Sequence, residues 1–263
     1  MNQSIVCCLD VLGYSDLVKN KHSDDEYIKK YEDVLNKSLS ILNKLKSNSS
    51  SKDSSYNEEK NNLIDKIRII TFSDTIIFIL YLEKIDKEQI NNCMFLFLNL
   101  ISRFSTLFIQ YIGNTLRGGM SIGQHYDNYD KYRENKDIKL VMFSKSLIES
   151  HKLESESSFY PRVLINKKLN DYLQKISFKK YNEFFYQDFF HETCLRIYGH
   201  FVKSKYQSSV VEELIHIKDK IQNSIDDNQG NRKILEKLFY FSNYHDYECK
   251  QLNIKNNECY FNY

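Results

Sequence analysis

The chain is poor in residues that break regular structure: one proline, Pro161, and seven glycines in 263 residues. That scarcity excludes collagen-like, proline-rich and wholly disordered classes, and each glycine is expected to stand where the backbone needs one. Charge of one sign is missing too. Lysine and arginine number 37 against 35 aspartates and glutamates, a net +2, which excludes a polybasic binder and leaves nucleic acid without an electrostatic case as a partner. No apolar run is expected to cross a bilayer. The best stretch, Cys93 to Ile112, is broken by Asn99, Ser102, Arg103 and Gln110 and reads as a buried helix. The N-terminal residues run straight into a strand-like segment, without the basic, apolar and cleavage regions of a signal peptide. No C-x-x-C pair occurs among Cys7, Cys8, Cys93, Cys194, Cys249 and Cys259, and adjacent strand residues such as Cys7 and Cys8 point to opposite faces. A reduced, cytoplasmic protein without a membrane partner is the expectation.

What is present suffices for a full core, with 41% hydrophobic and 27% charged residues, in one generous domain or one domain with appendages. Ser4 to Val11 reads as a buried first strand that ends in an acid and enters a turn at Gly13. Helical spacing follows over Asp24 to Leu45, then a flexible polar insertion at about 47–62. Lys66 to Leu82 holds two β-branched and aromatic runs split by Phe72-Ser73-Asp74-Thr75, a hairpin with a tight polar tip. Glu88 to Tyr111 is predicted helical, Thr115 to Gln124 and Ile138 to Phe143 extended, Ser144 to Leu153 helical and Arg162 to Asn166 extended. From Tyr181 the pattern is loop-like and aromatic, then helical over Ser208 to Ile225 and Asn231 to Tyr244. The order of the first half predicts an α+β, ferredoxin-like βαββαβ sheet within 1–175. Residues 176–263 form an aromatic and helical extension packed on it.

In that arrangement the first strand lies beside the hairpin, so Asp10 and Asp74 become neighbours at one sheet edge. Two adjacent carboxylates repel, and a divalent cation or a pair of them removes the cost. Such ions activate a hydroxyl and neutralise a transferring phosphate. The Val11 carbonyl is a further hard-oxygen ligand, and the backbone of Val11, Leu12, Gly13, Tyr14 and Ser15 offers a cradle for phosphate oxygens at a helix start. Taken singly, each motif also closes ordinary turns. Arg117 is the candidate for gripping phosphates, or else pairs an acid at the sheet edge. Lys145 and Lys152 are cationic helpers or solvated lysines, and Glu154 reads as structural. His191, Cys194 and His200 lack the fourth ligand of a zinc site. The aromatic run Tyr181 to Phe190 reads as packing rather than a base-stacking platform.

Taken in order, LDVLGYSDLV, TFSDTIIF, LRGGMSIGQ, FSKSLIESHKLE and YPRVLI resemble the class III nucleotidyl cyclases, and more closely the pyrimidine nucleotide cyclases of bacterial antiphage Pycsar systems. HETCLRIYGHF and KLFYFSNYHDYE fall where that group has its later blocks. The resemblance implies a homodimeric cyclase domain over 1–175 that turns UTP or CTP into a 3′,5′-cyclic nucleotide and diphosphate. It implies two Mn2+ or Mg2+ ions held by Asp10, Asp74 and the Val11 carbonyl, and a separate cyclic-nucleotide-responsive effector as the downstream partner. Gly119, Met120 and Gly123 match a glycine-bearing strand near the dimer interface. Ser144 to Glu154 matches the helix that stabilises the transition state in purine cyclases, where an asparagine and an arginine are replaced by Ile148 and Lys152. Ile70 and Val141 fall at purine-reading positions and cannot hydrogen-bond a base through their side chains. A purine cyclase of unusual pocket, and an inactive cyclase-like sensor of nucleotide or a phage component, remain alternatives. A polymerase-palm relative would need a basic template channel that the charge balance does not supply.

Overall fold

The computed structural model describes residues 2–14, 25–47, 63–86, 89–135, 137–202 and 207–261. Its strands are β1 (Asn2–Val11), β2 (Ile67–Phe72), β3 (Thr75–Tyr81), β4 (Leu116–Asp127), β5 (Met142–Ser144), β6 (Val163–Ile165), β7 (Phe185–Gln187) and β8 (Thr193–Leu195). Its α-helices are α1 (Asp25–Ser47), α2 (Gln89–Ile112), α3 (Tyr129–Glu134), α4 (Lys145–Lys152), α5 (Lys167–Lys175), α6 (Tyr181–Phe184), α7 (Gln207–Asp227) and α8 (Arg232–Gln251). The fold is mixed α+β, with one eight-stranded sheet in the order β2-β3-β1-β4-β6-β8-β7 and β5 on the end of β4. β1 sits centrally, antiparallel to β3 on one side and β4 on the other.

β1 is apolar without alternation because both of its faces are covered. Ile5, Cys7, Leu9 and Val11 join the main core with Phe78, Phe97, Phe104 and Phe108. Val6 and Cys8 lie on the opposite face, where Val6 packs with Ile77 and Ile79. α2 corrects the reading of Cys93 to Ile112 as too interrupted: it is long and apolar enough to cross a membrane, but 67% of its apolar window is buried inside the fold. Two of its polar breaks are satisfied there. Ser102 donates to the Arg196 carbonyl (3.0 Å) and Gln110 to Glu213 (3.3 Å).

α4 lies on the other face of the sheet. Ser144 caps it, accepting from the Leu147 amide at 3.0 Å, and meets His125 Nδ1 at 2.7 Å. Two glycines let the helix approach the strand. A Cβ on Gly119 would lie 2.2 Å from the Ser150 carbonyl oxygen, and one on Gly123 3.1 Å from the Ser146 nitrogen. These glycines therefore serve close contact between helix and strand within the chain. After Lys152 the helix widens into a π turn, Leu153–Ser157.

The sheet also crosses the expected boundary at 175/176, since β7 and β8 join it through β6. Three-residue strands carry too little alternation to stand out among aromatics. Beyond them α7 and α8 build a second core around Tyr198, Leu214, Ile217 and Phe241, reaching Ile109 of α2. The strand expected over Ile138 to Phe143 shrinks to β5, and α3 and α5 are helices the periodicity did not reveal. The insertion expected at 47–62 lies, after Ser47, outside the described residues. All six cysteines are unbridged and buried.

Candidate active site

Asp10 is the next-to-last residue of β1, on its α4 side, opposite Thr75 of β3 and Arg117 of β4. Asp74 immediately precedes Thr75 at the tip of the β2–β3 hairpin, beside Ser73, whose backbone is left-handed at φ 55°. Arg117 Nε donates to Asp10 Oδ2 at 2.9 Å, and its Nη2 lies 2.8 Å from Glu154 Oε1. Glu154 comes from the π turn, a geometry that recurs at functional sites. Its side chain is only 5% exposed, and Oε1 takes part in no directional hydrogen bond.

Two acids thus pair with one guanidinium, and the charge of Asp74 reaches both of them. Burial raises the Asp10 pKa; Arg117 works against that, while the charge and hydrogen-bonding oxygen of Asp74 push further up. Glu154 is raised in the same way, by burial first, with Arg117 opposing and Asp10 and Asp74 adding. Such a cluster costs energy when all three acids are ionised, and a cation relieves it. From α1, Tyr31 reaches the hairpin tip, donating to the Ser73 carbonyl at 3.4 Å. Burial, followed by the charges of Tyr14, Asp74 and Asp10, raises its pKa to about 12.

The remaining sequence candidates fall unevenly. Because the Leu12 amide donates to the Thr115 carbonyl (3.1 Å), ladder alternation turns the Val11 carbonyl away from β4 and toward the hairpin. The same bond removes Leu12 N–H from any phosphate cradle, and its carbonyl already accepts from Asn114 at 2.9 Å. Gly13 supplies the left-handed turn at φ 81°. Tyr14 packs partly buried against the main core, and Ser15 lies outside the described residues. Lys152 does not join the cluster: it is 68% exposed and pairs with Glu156 at 3.7 Å. Lys145 and Val141 are exposed, as is Ile148 at 69%, while Ile70 packs against the small core of Val6, Ile77 and Ile79. His191, Cys194 and His200 do not converge on a metal. His191 is exposed at a turn, Cys194 is buried, and burial pulls the His200 pKa down to about 3. Glu154 reads from sequence as structural, and neither Tyr31 nor Lys237, whose ammonium feels both Arg117 and Asp10, stands in a motif that marks a site. Only the acid at the end of a helical run could have pointed to Glu154.

Among the described residues no group of three or more His, Cys, Asp or Glu side chains is placed to hold a metal ion. Two aspartates and a backbone carbonyl form a smaller, all-oxygen set. That set suits a Mg2+-type ion, which keeps several waters and takes substrate phosphates as its other ligands.

No family model and no curated protein matches the chain. Among solved structures it is similar to the crystal structure of the monomeric guanylyl cyclase domain of the RhoGC fusion protein from the aquatic fungus Blastocladiella emersonii. The TM-score is 0.42 and the identity 12%, over 73% of this chain and 93% of that one. So slight a likeness bears on neither fold nor activity.

Proposed function

We propose that the chain is a nucleotidyl cyclase, built on a ferredoxin-like core and acting on a pyrimidine nucleoside triphosphate. The observation that carries the reading is the juxtaposition of Asp10 and Asp74 beside Arg117, with Glu154 holding the far side of the guanidinium. The strand order β2-β3-β1-β4 supports the ferredoxin-like assignment. Asp10, Asp74 and the Val11 carbonyl would hold Mn2+ or Mg2+. Divalent ions there would lower the pKa of the ribose 3′-hydroxyl and neutralise charge on the α-phosphate. Asp10 would exchange its ion pair with Arg117 for the cation. Arg117, retained by Glu154, would turn its freed nitrogens to the phosphates, for which a guanidinium is shaped.

The aliphatic side chains Ile70 and Val141 favour uracil or cytosine over a purine. The product would be a 3′,5′-cyclic nucleotide, released with diphosphate. By the motif resemblance it serves as a cytoplasmic antiphage signal read by a separate effector. The catalytic unit would comprise 1–175 with its extension 176–263. Exposed apolar side chains around β5 and on α4 support a homodimer: Val141, Phe143 and Ile148 are 40%, 59% and 69% exposed, surface of the kind that copies of a chain cover. Lys152, which lies outside the Asp10, Asp74 and Glu154 cluster of its own chain, would then serve the partner's site.

Incubation with each of the four NTPs and Mn2+, followed by mass spectrometry of the products, tests the reading. UTP or CTP should yield the cyclic product, and Asp10→Asn and Asp74→Asn should each reduce the rate by at least about 100-fold. No product from any NTP, or an undiminished rate in Asp74→Asn, sinks it. The inactive-sensor reading draws on one observation, the guanidinium already neutralising Asp10, and predicts nucleotide binding without turnover.

A further inference from the structure

We propose that the C-terminal helical layer completes this site, with Lys237 of α8 as a ligand for the outer phosphates of the bound nucleotide. The inference rests on the reading that Asp10 and Asp74 receive a nucleoside triphosphate.

α8 is anchored by stacked rings to the segment that leads into the neighbour of the site strand. One turn beyond Lys237, Tyr240 stacks on Tyr160 with centroids 4.6 Å apart and planes 15° from parallel. Tyr160 stands two residues before Arg162, whose carbonyl accepts the Gly118 amide at 2.9 Å, next to Arg117. Residues three apart share a helix face, so the face of α8 that grips Tyr160 also carries Lys237 toward β4. On one adjoining face, Leu238 and Phe241 bury into the second core, which sets the rotation of the helix.

Lys237 is partly buried and makes no ion pair or hydrogen bond among the described residues. Burial depresses its ammonium pKa, the Arg117 guanidinium depresses it further, and Asp10 opposes both. A partly desolvated ammonium in the field of Arg117 and Lys233, without a carboxylate partner, is costly. An anion between Lys237 and Arg117 removes that cost. The chemistry divides along the site: carboxylates at the hairpin edge suit the metal-bound α-phosphate, and Arg117 with Lys237 suit the tail. A lysine offers a point charge that follows a flexible tail, where a guanidinium demands a fixed geometry.

The test is isothermal titration calorimetry of the full chain with Mn2+-tripolyphosphate as the probe. Lys237→Met and Lys237→Gln should each bind about 10- to 100-fold more weakly, the loss of one charge-assisted contact. Lys237→Arg, which keeps the charge but not the point-like geometry, should bind more tightly than either neutral variant and more weakly than wild type, and the affinity for Mn2+ alone should not change. Two variants guard against one that fails to fold, and their thermal midpoints check this. Equal binding by wild type and Lys237→Gln overturns the inference, as does a wild type that binds no tripolyphosphate. Weakened binding in the variants, with no cyclic product from wild type, upholds Lys237 as a phosphate ligand and refutes the cyclase reading.

Discussion

Replacing Gly119 by alanine tests how α4 is seated and, through it, how Glu154 is aimed. The added Cβ would stand 2.2 Å from the Ser150 carbonyl oxygen, 2.5 Å from the Leu153 Cβ and 3.0 Å from the Glu154 amide nitrogen. Two of these atoms are backbone, so no rotamer change relieves them. Ordinary contact requires the turn to withdraw by about 1 Å. Overpacking costs about 1–3 kcal/mol. The upper end is expected, because the withdrawal also strains the buried pair of Glu154 with Arg117 at 2.8 Å. With an unfolding entropy of about 2.1 cal/mol/K per residue over 263 residues, about 3 kcal/mol corresponds to a midpoint lowered by about 5 °C. Urea denaturation and thermal scans of Gly119→Ala measure both quantities. Gly230→Ala is the internal control. Nothing lies within 4 Å of its added Cβ, so it should be neutral or gain up to about 1 kcal/mol from a less flexible unfolded chain. A Gly119→Ala protein within about 0.5 kcal/mol of wild type would refute the packing on which the position of Glu154 depends.

Arg162 and Asp188 form an ion pair whose side chains are 6% and 1% exposed, and Asp188 also accepts from the Phe190 and Glu192 amides. Asp188→Ala strands a buried guanidinium and should cost about 3–5 kcal/mol in chemical denaturation; a loss below about 1 kcal/mol would contradict this. Glu248 is 1% exposed and meets Arg196 at 2.7 Å. Burial, only partly offset by Arg196, lifts its pKa from the ordinary 4.5 to about 7. Between those values the folded chain holds a proton that the unfolded chain has released, so stability falls as pH rises from about 4.5 to 7 and levels off above. At roughly 1.4 kcal/mol per pH unit this component is about 3 kcal/mol. Glu248→Gln removes it, so the stability difference between wild type and variant should change across that window in denaturation series; a constant difference would exclude it.

Local pattern determined much of the frame. The unbroken apolar run of β1, the β-branched halves of the hairpin and the apolar length of α2 each announce an element, because burial on one or both faces dictates residue type along a short segment. The placing of Asp10 at a strand end and Asp74 at a polar hairpin tip was legible for the same reason. Tertiary structure alone decided who meets them. Arg117 reaches Asp10 only through the register of β1 on β4, and a slip of one residue would turn it to the other face. Glu154 arrives through a π turn seated against Gly119, and the same seating leaves Lys152 outside. Lys237 comes from a helix more than a hundred residues further along, held by Tyr240 on Tyr160. β7 and β8 entered the sheet because β6 offered an edge, and not because three residues carry a periodic signal. Contacts of that kind depend on which surfaces the chain brings together, and short segments do not encode them.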